Sequence, residues 1–413
     1  MTTNQPVPDG PDVDPQATQG QQRRISRRAV LKAAGIGGGA FVIAGAAGVG
    51  IRGGMNGVWN QGQGEPYELW HSEQDADGLV RLVAAGTLAA NPHNIQPWSF
   101  VVDRDSIDLY ADPGRIMPVN DSDGRERIAG YGCAIHNIVL AARSEGRDAE
   151  VTPWPDGDPD HIARIEIAAG APATEREQAL AQAISTRHSN RGPYAARAVV
   201  QDVLDSLVDD APDGAELVWI TEPAALSELA DLYVEATQAI VDDEEMSIEA
   251  FSWFRNDRAE IDRHRDGLTL DCQGLDGFTL FMAKLLPAQS RRSGDAFWVK
   301  AARTTHTATA RAYGIVRVED TDDPRARLAG GRLLQHAHLA ATAAGIGLQH
   351  MNQVTERIAR DAALGNPDRF SARWAHATGI PAGQSLLAFR VGYPERAANP
   401  SPRRDLSDVA RGR

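Results

Sequence analysis

Arg187, Ser189 and Arg191 stand together in the run RHSNRGPY, residues 187–194. Two guanidinium groups four residues apart around a hydroxyl suit an oxyanion. Each planar fork can pair with phosphate oxygens, and the serine adds a short hydrogen bond. The same composition also describes a solvated helix end. A second arginine pair, Arg403–Arg404, follows Pro402 near the C-terminus. Amide chemistry is concentrated in NPHNIQPWSF, residues 91–100. Asn91–Pro92 stops an alanine-rich helical run, because proline disfavours the helical conformation of the residue before it. Pro97 bounds the other side, so His93, Asn94 and Gln96 sit in a stiff loop beside the indole of Trp98. Such a loop is either a ligand contact or a packed helix-to-strand corner. A last candidate segment, GIGLQHMN at 345–352, carries Gln349, His350, Met351 and Asn352, although a glycine there reads first as a helix C-cap.

These groups need a scaffold, and the chain has ample material for one. It has 413 residues, 42% of them hydrophobic, enough for one large core or two smaller ones. The net charge of −14 argues against a generic nucleic-acid binder, which would show a basic surface. Two cysteines, Cys133 and Cys272, are too few for a disulfide framework or a zinc cluster. Cys133, inside an apolar helical pattern, reads as simply buried.

Residues 1–22 have the polar composition of a disordered segment. RRISRRAVLK follows, then Ala33 to Ile51 without a charge, which reads as an export signal. Ser26-Arg27-Arg28-Ala29-Val30-Leu31-Lys32 resembles the twin-arginine signal, with Ala44-Gly45-Ala46 as a candidate cleavage site. An uncut membrane anchor is the alternative, the run being near the minimum length for a span. That signal implies a periplasmic, cell-envelope or secreted protein and the twin-arginine export machinery as a partner. Residues 52–65 read as a flexible tether.

Beyond the tether, Tyr67–Ala90 is mostly helical in pattern. Residues 98–102 and 106–111 predict a hairpin around Asp103-Arg104-Asp105. Arg125 opens a long helix whose Ile128, Tyr131, Ile135, Ile138 and Ala142 form one buried stripe. Residues 161–167 give a strand and 171–186 a helical connection. RIAGYGCAIHNIVLAA from Arg127 then aligns with RLAGGRLLQHAHLAAT from Arg327, an offset of 327 − 127 = 200. Arg, Ala, Gly, His and Ala coincide at 127/327, 129/329, 130/330, 136/336 and 141/341, which suggests an internal duplication.

Asn91–Phe100 after an alanine-rich helix resembles the flavin-facing loop of FMN-dependent nitroreductases. RHSNRGPY resembles that family's phosphate signature, and Pro402-Arg403-Arg404-Asp405-Leu406 its closing motif. The resemblance implies FMN as cofactor, held by Asn91, Pro92, His93, Asn94, Gln96, Arg187, Ser189, Arg191, Gln349, His350, Met351, Asn352, Arg403 and Arg404. It also implies NAD(P)H and a small electron acceptor as partners, the flavin carrying the chemistry. In this family two subunits build two sites, but here the amide loop occurs only early and the phosphate cluster only late. The pattern is similar to the Acg-like branch, a pseudo-dimer fused in one chain with one complete site. The expected fold is α+β, two nitroreductase-like halves at 66–180 and 181–413 around mixed sheets and long central helices. An insertion at 242–287, with Phe251, Trp253 and Phe254, would form a lid over the flavin. The alternative function is a protein that sequesters FMN with little or no reductase activity.

Overall fold

The computed structural model describes residues 53–54, 56–72 and 76–413. The disordered segment expected at 1–22, the twin-arginine motif, the apolar run and its cleavage site lie outside these residues. No helix among the described residues is long and apolar enough to cross a membrane.

The first half contributes helix α1 (Gly78–Thr87), the hairpin β1 (Trp98–Val102) and β2 (Ser106–Ala111), the long helix α2 (Arg125–Ser144), and β3 (Arg147–Pro153) with β4 (His161–Ala169). The hairpin forms where the alternation placed it, with Trp98 opposite Ala111 and Val102 opposite Ile107. Strand β3 has no reading in the sequence, since its apolar face is only half-buried. Helix α3 (Glu175–Ala183) begins with a capping box: the Thr174 hydroxyl accepts from the Glu177 amide while the Glu177 carboxylate accepts from that of Thr174.

The second half starts with β5 (Glu216–Ile220) and α4 (Pro223–Asp242). The insertion supplies α5 (Glu244–Ser252), α6 (Arg258–His264) and α7 (Gly277–Leu285), and α8 (Arg291–Ala301) follows. Then come β6 (Ala312–Arg317), the second long helix α9 (Pro324–Ala343), β7 (Gly347–His350), α10 (Gln353–Leu364) and β8 (Ser385–Gly392). The sheet orders repeat: β1-β2-β4-β3 in the first half and β5-β6-β8-β7 in the second, every neighbour antiparallel. Each long helix lies between the second and third strands of its half. The final strand β9 (Ala410–Gly412) leaves the second half and pairs in parallel with β1, Phe100 opposite Ala410. The C-terminus thereby straps the two halves together.

Helices α2 and α9 pack along each other at the centre. They approach at glycine: a Cβ on Gly132 would lie 2.1 Å from the Leu328 carbonyl oxygen, and one on Gly331 would lie 2.0 Å from that of Ala129. Their matched histidines, His136 and His336, meet edge to face with ring centres 5.3 Å apart. The 200-residue repeat is therefore visible as a contact between equivalent positions. The single apolar stripe expected on α2 is too narrow a description. Ala129 to Ile138 is buried on every side, because α9 covers one face and α1 and the sheet cover the others.

Within the stretch expected as a flexible tether, the described residues 56–65 make specific contacts. Val58 is buried, the Gly62 amide donates to Asp271 at 3.3 Å, and the Lys284 ammonium donates to the Gly57 carbonyl at 3.1 Å. A polar, glycine-rich stretch packs here because the insertion offers it matching polar partners. Cys133 and Cys272 are both buried free thiols.

Candidate functional site

A cavity of about 270 Å³ opens between the two halves and the insertion. One wall is a stripe of α2: Glu126, Ala129, Gly130 and Cys133. Asn91, Pro92, His93 and Asn94 come from the loop after α1; Arg187, Ser189 and Arg191 from the chain after α3. Gln349, His350 and Asn352 come from β7 and just beyond it, and Arg403 from the tail. Residues from both ends and the middle of the chain thus share one space.

The loop reaches it through an unusual backbone. His93 (φ 45°), Asn94 (φ 56°) and Gln96 (φ 51°) are all left-handed, a region that only asparagine among them tolerates readily. The strain is held by hydrogen bonds. The Asn91 side chain accepts from the Gln96 amide at 2.8 Å, and Asn94 donates to the Gly267 and Pro402 carbonyls at 3.2 and 2.9 Å. The loop is therefore tied to the insertion and to the C-terminal tail at once.

The cations at this end lack counterions. Among the described residues, no carboxylate lies within salt-bridge distance of Arg187, Arg191 or Arg403, though 3% of Arg187 and of Arg403 is exposed. Arg187 donates to the Leu88 carbonyl at 2.9 Å and contacts His338 at 3.3 Å, and its Nε has no partner. Arg191 donates only to the Cys272 carbonyl, at 3.2 Å. Arg403 is more fully used: it donates to Thr87, Leu88 and Ala89 carbonyls and to the Asn94 and Ser401 side chains. Burial pushes Arg187 down to about 10 and holds Arg403 well below the usual guanidinium range. Burying unpaired charge is costly, and Arg187 and Arg403, buried, with Arg191, half-buried, give the cavity a donor set suited to an anion.

Histidines around these arginines are neutral. Burial, with the adjacent guanidinium groups, pushes His350 and His188 down to about 3 and His93 to about 4. His350 Nε2 also has no partner. Gln349 is fixed by Arg390, whose Nε donates to it at 2.7 Å while Nη2 donates to the Gly192 carbonyl at 2.7 Å. Arg390 is thus a positioning residue for both cavity segments.

Three residues expected in the site do not line the cavity. Gln96 is wholly buried beside it, donating to the Arg265 carbonyl and accepting from the Arg404 amide, so it fastens the insertion and the tail to the loop. Met351 follows His350 on the strand alternation, points the other way and packs in the second-half core with Tyr313 and Trp374. Arg404 alternates away from Arg403 and pairs with Asp112 at 3.3 Å.

Several residues in and behind the cavity wall escaped the sequence reading, Trp70 among those that do not line the space itself. Trp70 lies beneath the guanidinium groups of Arg403 and Arg187, 4.5 and 5.6 Å from their centres, and its indole donates to the Ser401 carbonyl at 2.7 Å. Phe297 and Trp298 of α8 join Phe251 and Phe254 in covering the space, whereas Trp253 does not line it. The Phe251 and Phe254 rings are parallel, 6.3 Å apart. At the far end stand two carboxyl groups, Glu126 and Glu356. Burial raises both; the charge of Glu356 adds to the rise at Glu126, and that of Asp121 to the rise at Glu356, which is pushed up to about 7. No group of three or more His, Cys, Asp or Glu among the described residues is placed to hold a metal ion.

These shifts oppose each other in pH. Buried histidines with lowered values cost stability as pH falls below about 6.5, where the unfolded chain takes up their protons. Asp121, pushed up to about 8 by burial and Glu126, and the glutamate pair contribute fully only below about pH 4, and lose that contribution progressively as pH rises from there through 7 to 8. The melting temperature of the cofactor-free chain should therefore peak near pH 6.5–7 on these grounds. Glu356→Gln should gain stability relative to the wild type between about pH 4.5 and 7 and hold that gain above, which differential scanning fluorimetry across pH will read.

No family model matches the sequence. The "Putative NAD(P)H nitroreductase Rv3131" of Mycobacterium tuberculosis is 29% identical over 343 residues, 81% of this chain and 91% of that protein. The same organism's "Putative NAD(P)H nitroreductase acg" is 32% identical over 120 residues, 29% of this chain and 36% of its own. Among solved structures, a nitroreductase with bound FMN from Desulfitobacterium hafniense aligns with 56% of this chain and 96% of its own, at 15% identity and a TM-score of 0.33. The FMN-dependent nitroreductase NfnB from Mycobacterium smegmatis, in complex with NADPH, aligns with 57% and 97%, at 16% identity and a TM-score of 0.31. The similarity to Rv3131 thus spans nearly that protein's whole length.

Proposed function

We propose that this chain is an FMN-binding oxidoreductase that transfers hydride from NAD(P)H to an electron-poor acceptor such as a nitroaromatic or a quinone. The observation that carries this is the trio of arginines facing the cavity with no carboxylate within salt-bridge distance among the described residues, Arg187 and Arg403 buried and Arg191 half-buried. Arg187 and Arg191, which have donors to spare, and Ser189 would hold the phosphate. Arg403, its donors already engaged, would tie the tail to the loop and add charge. Asn94, Gln349 and the neutral His350 would flank the ring. The flavin, once bound, supplies the hydride chemistry, and the chain's own residues bind it, orient it and exclude water.

The names of the mycobacterial relatives support the reading, as does the repeated sheet order, which suits a fused pseudo-dimer with one site. A storage role is supported by a different observation. Phe251, Phe254, Leu268, Leu270 and Leu275 of the insertion close over the cavity as a lid would, and a closed lid excludes substrate as well as water. An anaerobic visible spectrum separates the two. Addition of NADPH bleaches the flavin band of a reductase and leaves that of a storage protein unchanged.

Export follows from the twin-arginine motif, a route suited to chains that load a cofactor before crossing the membrane. Replacing Arg27 and Arg28 by lysine should retain the protein inside the cell. Normal export of that variant would contradict the assignment.

A further inference from the structure

Glu126 lies in the first turn of α2, and Glu356 in the first turn of α10, 356 − 126 = 230 residues later. Both carboxyl groups line the cavity wall, and the two helix starts meet there, Arg125 donating to the Thr355 carbonyl at 3.2 Å. Adjacent carboxylates in an enclosed space cannot both ionise, so the pair holds one proton.

The surrounding charges leave that proton in place. Arg125 favours ionisation of both glutamates, but its guanidinium is engaged by the Thr355 carbonyl at 3.2 Å and by Asp123 at 3.5 Å. Asp121, in the loop before α2, accepts from the Glu126 and Arg127 amides at 2.9 Å each and raises Glu356 further. On α10, Gln353 has an unpartnered side-chain oxygen. Under α5, Glu249 is occupied by Asn120, and Asp295 of α8 by Ser247. Neither is offered as a partner to the pair.

The cavity is therefore polarised. Cys133, close enough to Arg187 to feel its charge, and Glu126 lie seven residues apart on one stripe of α2, about 10 Å along its axis. Cations stand at one end and a shared proton at the other, beneath the insertion. The insertion is anchored to the helix that carries Glu356: Asp243, the N-cap of α5, is held by Arg357 and Arg360 of α10 at 3.0 Å each.

We propose that Glu126 and Glu356 together are the proton donor to the acceptor reduced in this cavity, a quinone or nitro compound presenting an oxygen. This rests on the FMN reading above. Reduced flavin, the reductant, supplies a hydride and with it two electrons. For a quinone, the acceptor oxygen forms an O–H bond as the glutamate O–H bond breaks, and hydride plus proton complete the hydroquinone. The pair, left doubly negative, then takes a proton from water. A donor titrating near 7 suits general acid catalysis at neutral pH.

Two measurements test it on Glu126→Gln and Glu356→Gln. The first follows the side-chain carboxyl carbons of 13C-glutamate-labelled, cofactor-free chain by NMR. A coupled pair titrating near 7 is expected in the wild type and absent from each variant. If every glutamate titrates near its ordinary value, there is no shared proton and the proposal falls. The second loads each protein with FMN, reduces it with dithionite and compares oxidation by a quinone with that by ferricyanide, which accepts electrons without protons. The quinone-to-ferricyanide rate ratio should fall about a hundredfold in both variants. Normal FMN occupancy with an unchanged ratio overturns the donor role alone. A wild-type chain that takes up no FMN overturns the functional reading and the donor role with it.

Discussion

Arg187→Met should weaken FMN binding tenfold to a hundredfold while leaving the cofactor-free chain at least as stable as the wild type. The two halves of that result have one cause. The Arg187 guanidinium is buried with no carboxylate nearby, one of its nitrogens is unpartnered, and burial already pushes it down to about 10. Without an anion, methionine of similar length removes a desolvated charge, a change that is commonly neutral or stabilising. The Leu88 carbonyl would not be orphaned, since Arg403 also donates to it at 3.2 Å. With FMN present the sign reverses, because a charge-assisted hydrogen bond to phosphate contributes about 1.5–3 kcal/mol. Fluorescence titration with FMN and thermal melting of the cofactor-free chain read the two effects separately. A variant that melts far lower without FMN would make Arg187 a structural residue.

The largest effect on the fold is expected from Gly331→Ala. Its new methyl group would fall 2.0 Å from a backbone oxygen of α2, and no side-chain rotation relieves a clash between two backbones. Overpacking usually costs about 1–3 kcal/mol, and parting two central helices should exceed that range. Because α2 also forms a cavity wall, flavin affinity should fall together with stability. Gly365→Ala is the control. Gly365 sits at φ 69° with no neighbouring atom within 4 Å of where a Cβ would stand, so the substitution costs only local strain. A melting temperature for Gly331→Ala no lower than that of the control would mean the helices are less closely packed than described.

What the sequence made legible was what local pattern controls. The β1–β2 hairpin followed from apolar alternation around a polar turn, and α2 from its apolar period. The duplication followed from a few matched residues, of which His136 and His336 turn out to touch. Strand β3 was hidden because half-burial leaves little periodic contrast. Met351 and Arg404 fall outside the cavity lining for one reason: a motif names neighbouring residues, while an extended backbone sends alternate side chains to opposite faces. Trp70 and the Glu126–Glu356 pair were invisible because they acquire meaning only through residues more than 100 positions away. Their partners are Arg403, 403 − 70 = 333 residues on, and each other, 230 apart.

On the reading proposed above, one cavity, built from both halves and covered by the insertion, binds one flavin through Arg187, Arg191 and Arg403. Titration of cofactor-free chain with FMN, followed by quenching of flavin fluorescence, tests it most directly. The expected curve saturates at one equivalent per chain and loses affinity in Arg187→Met. Saturation at two equivalents, or no quenching at all, would contradict it.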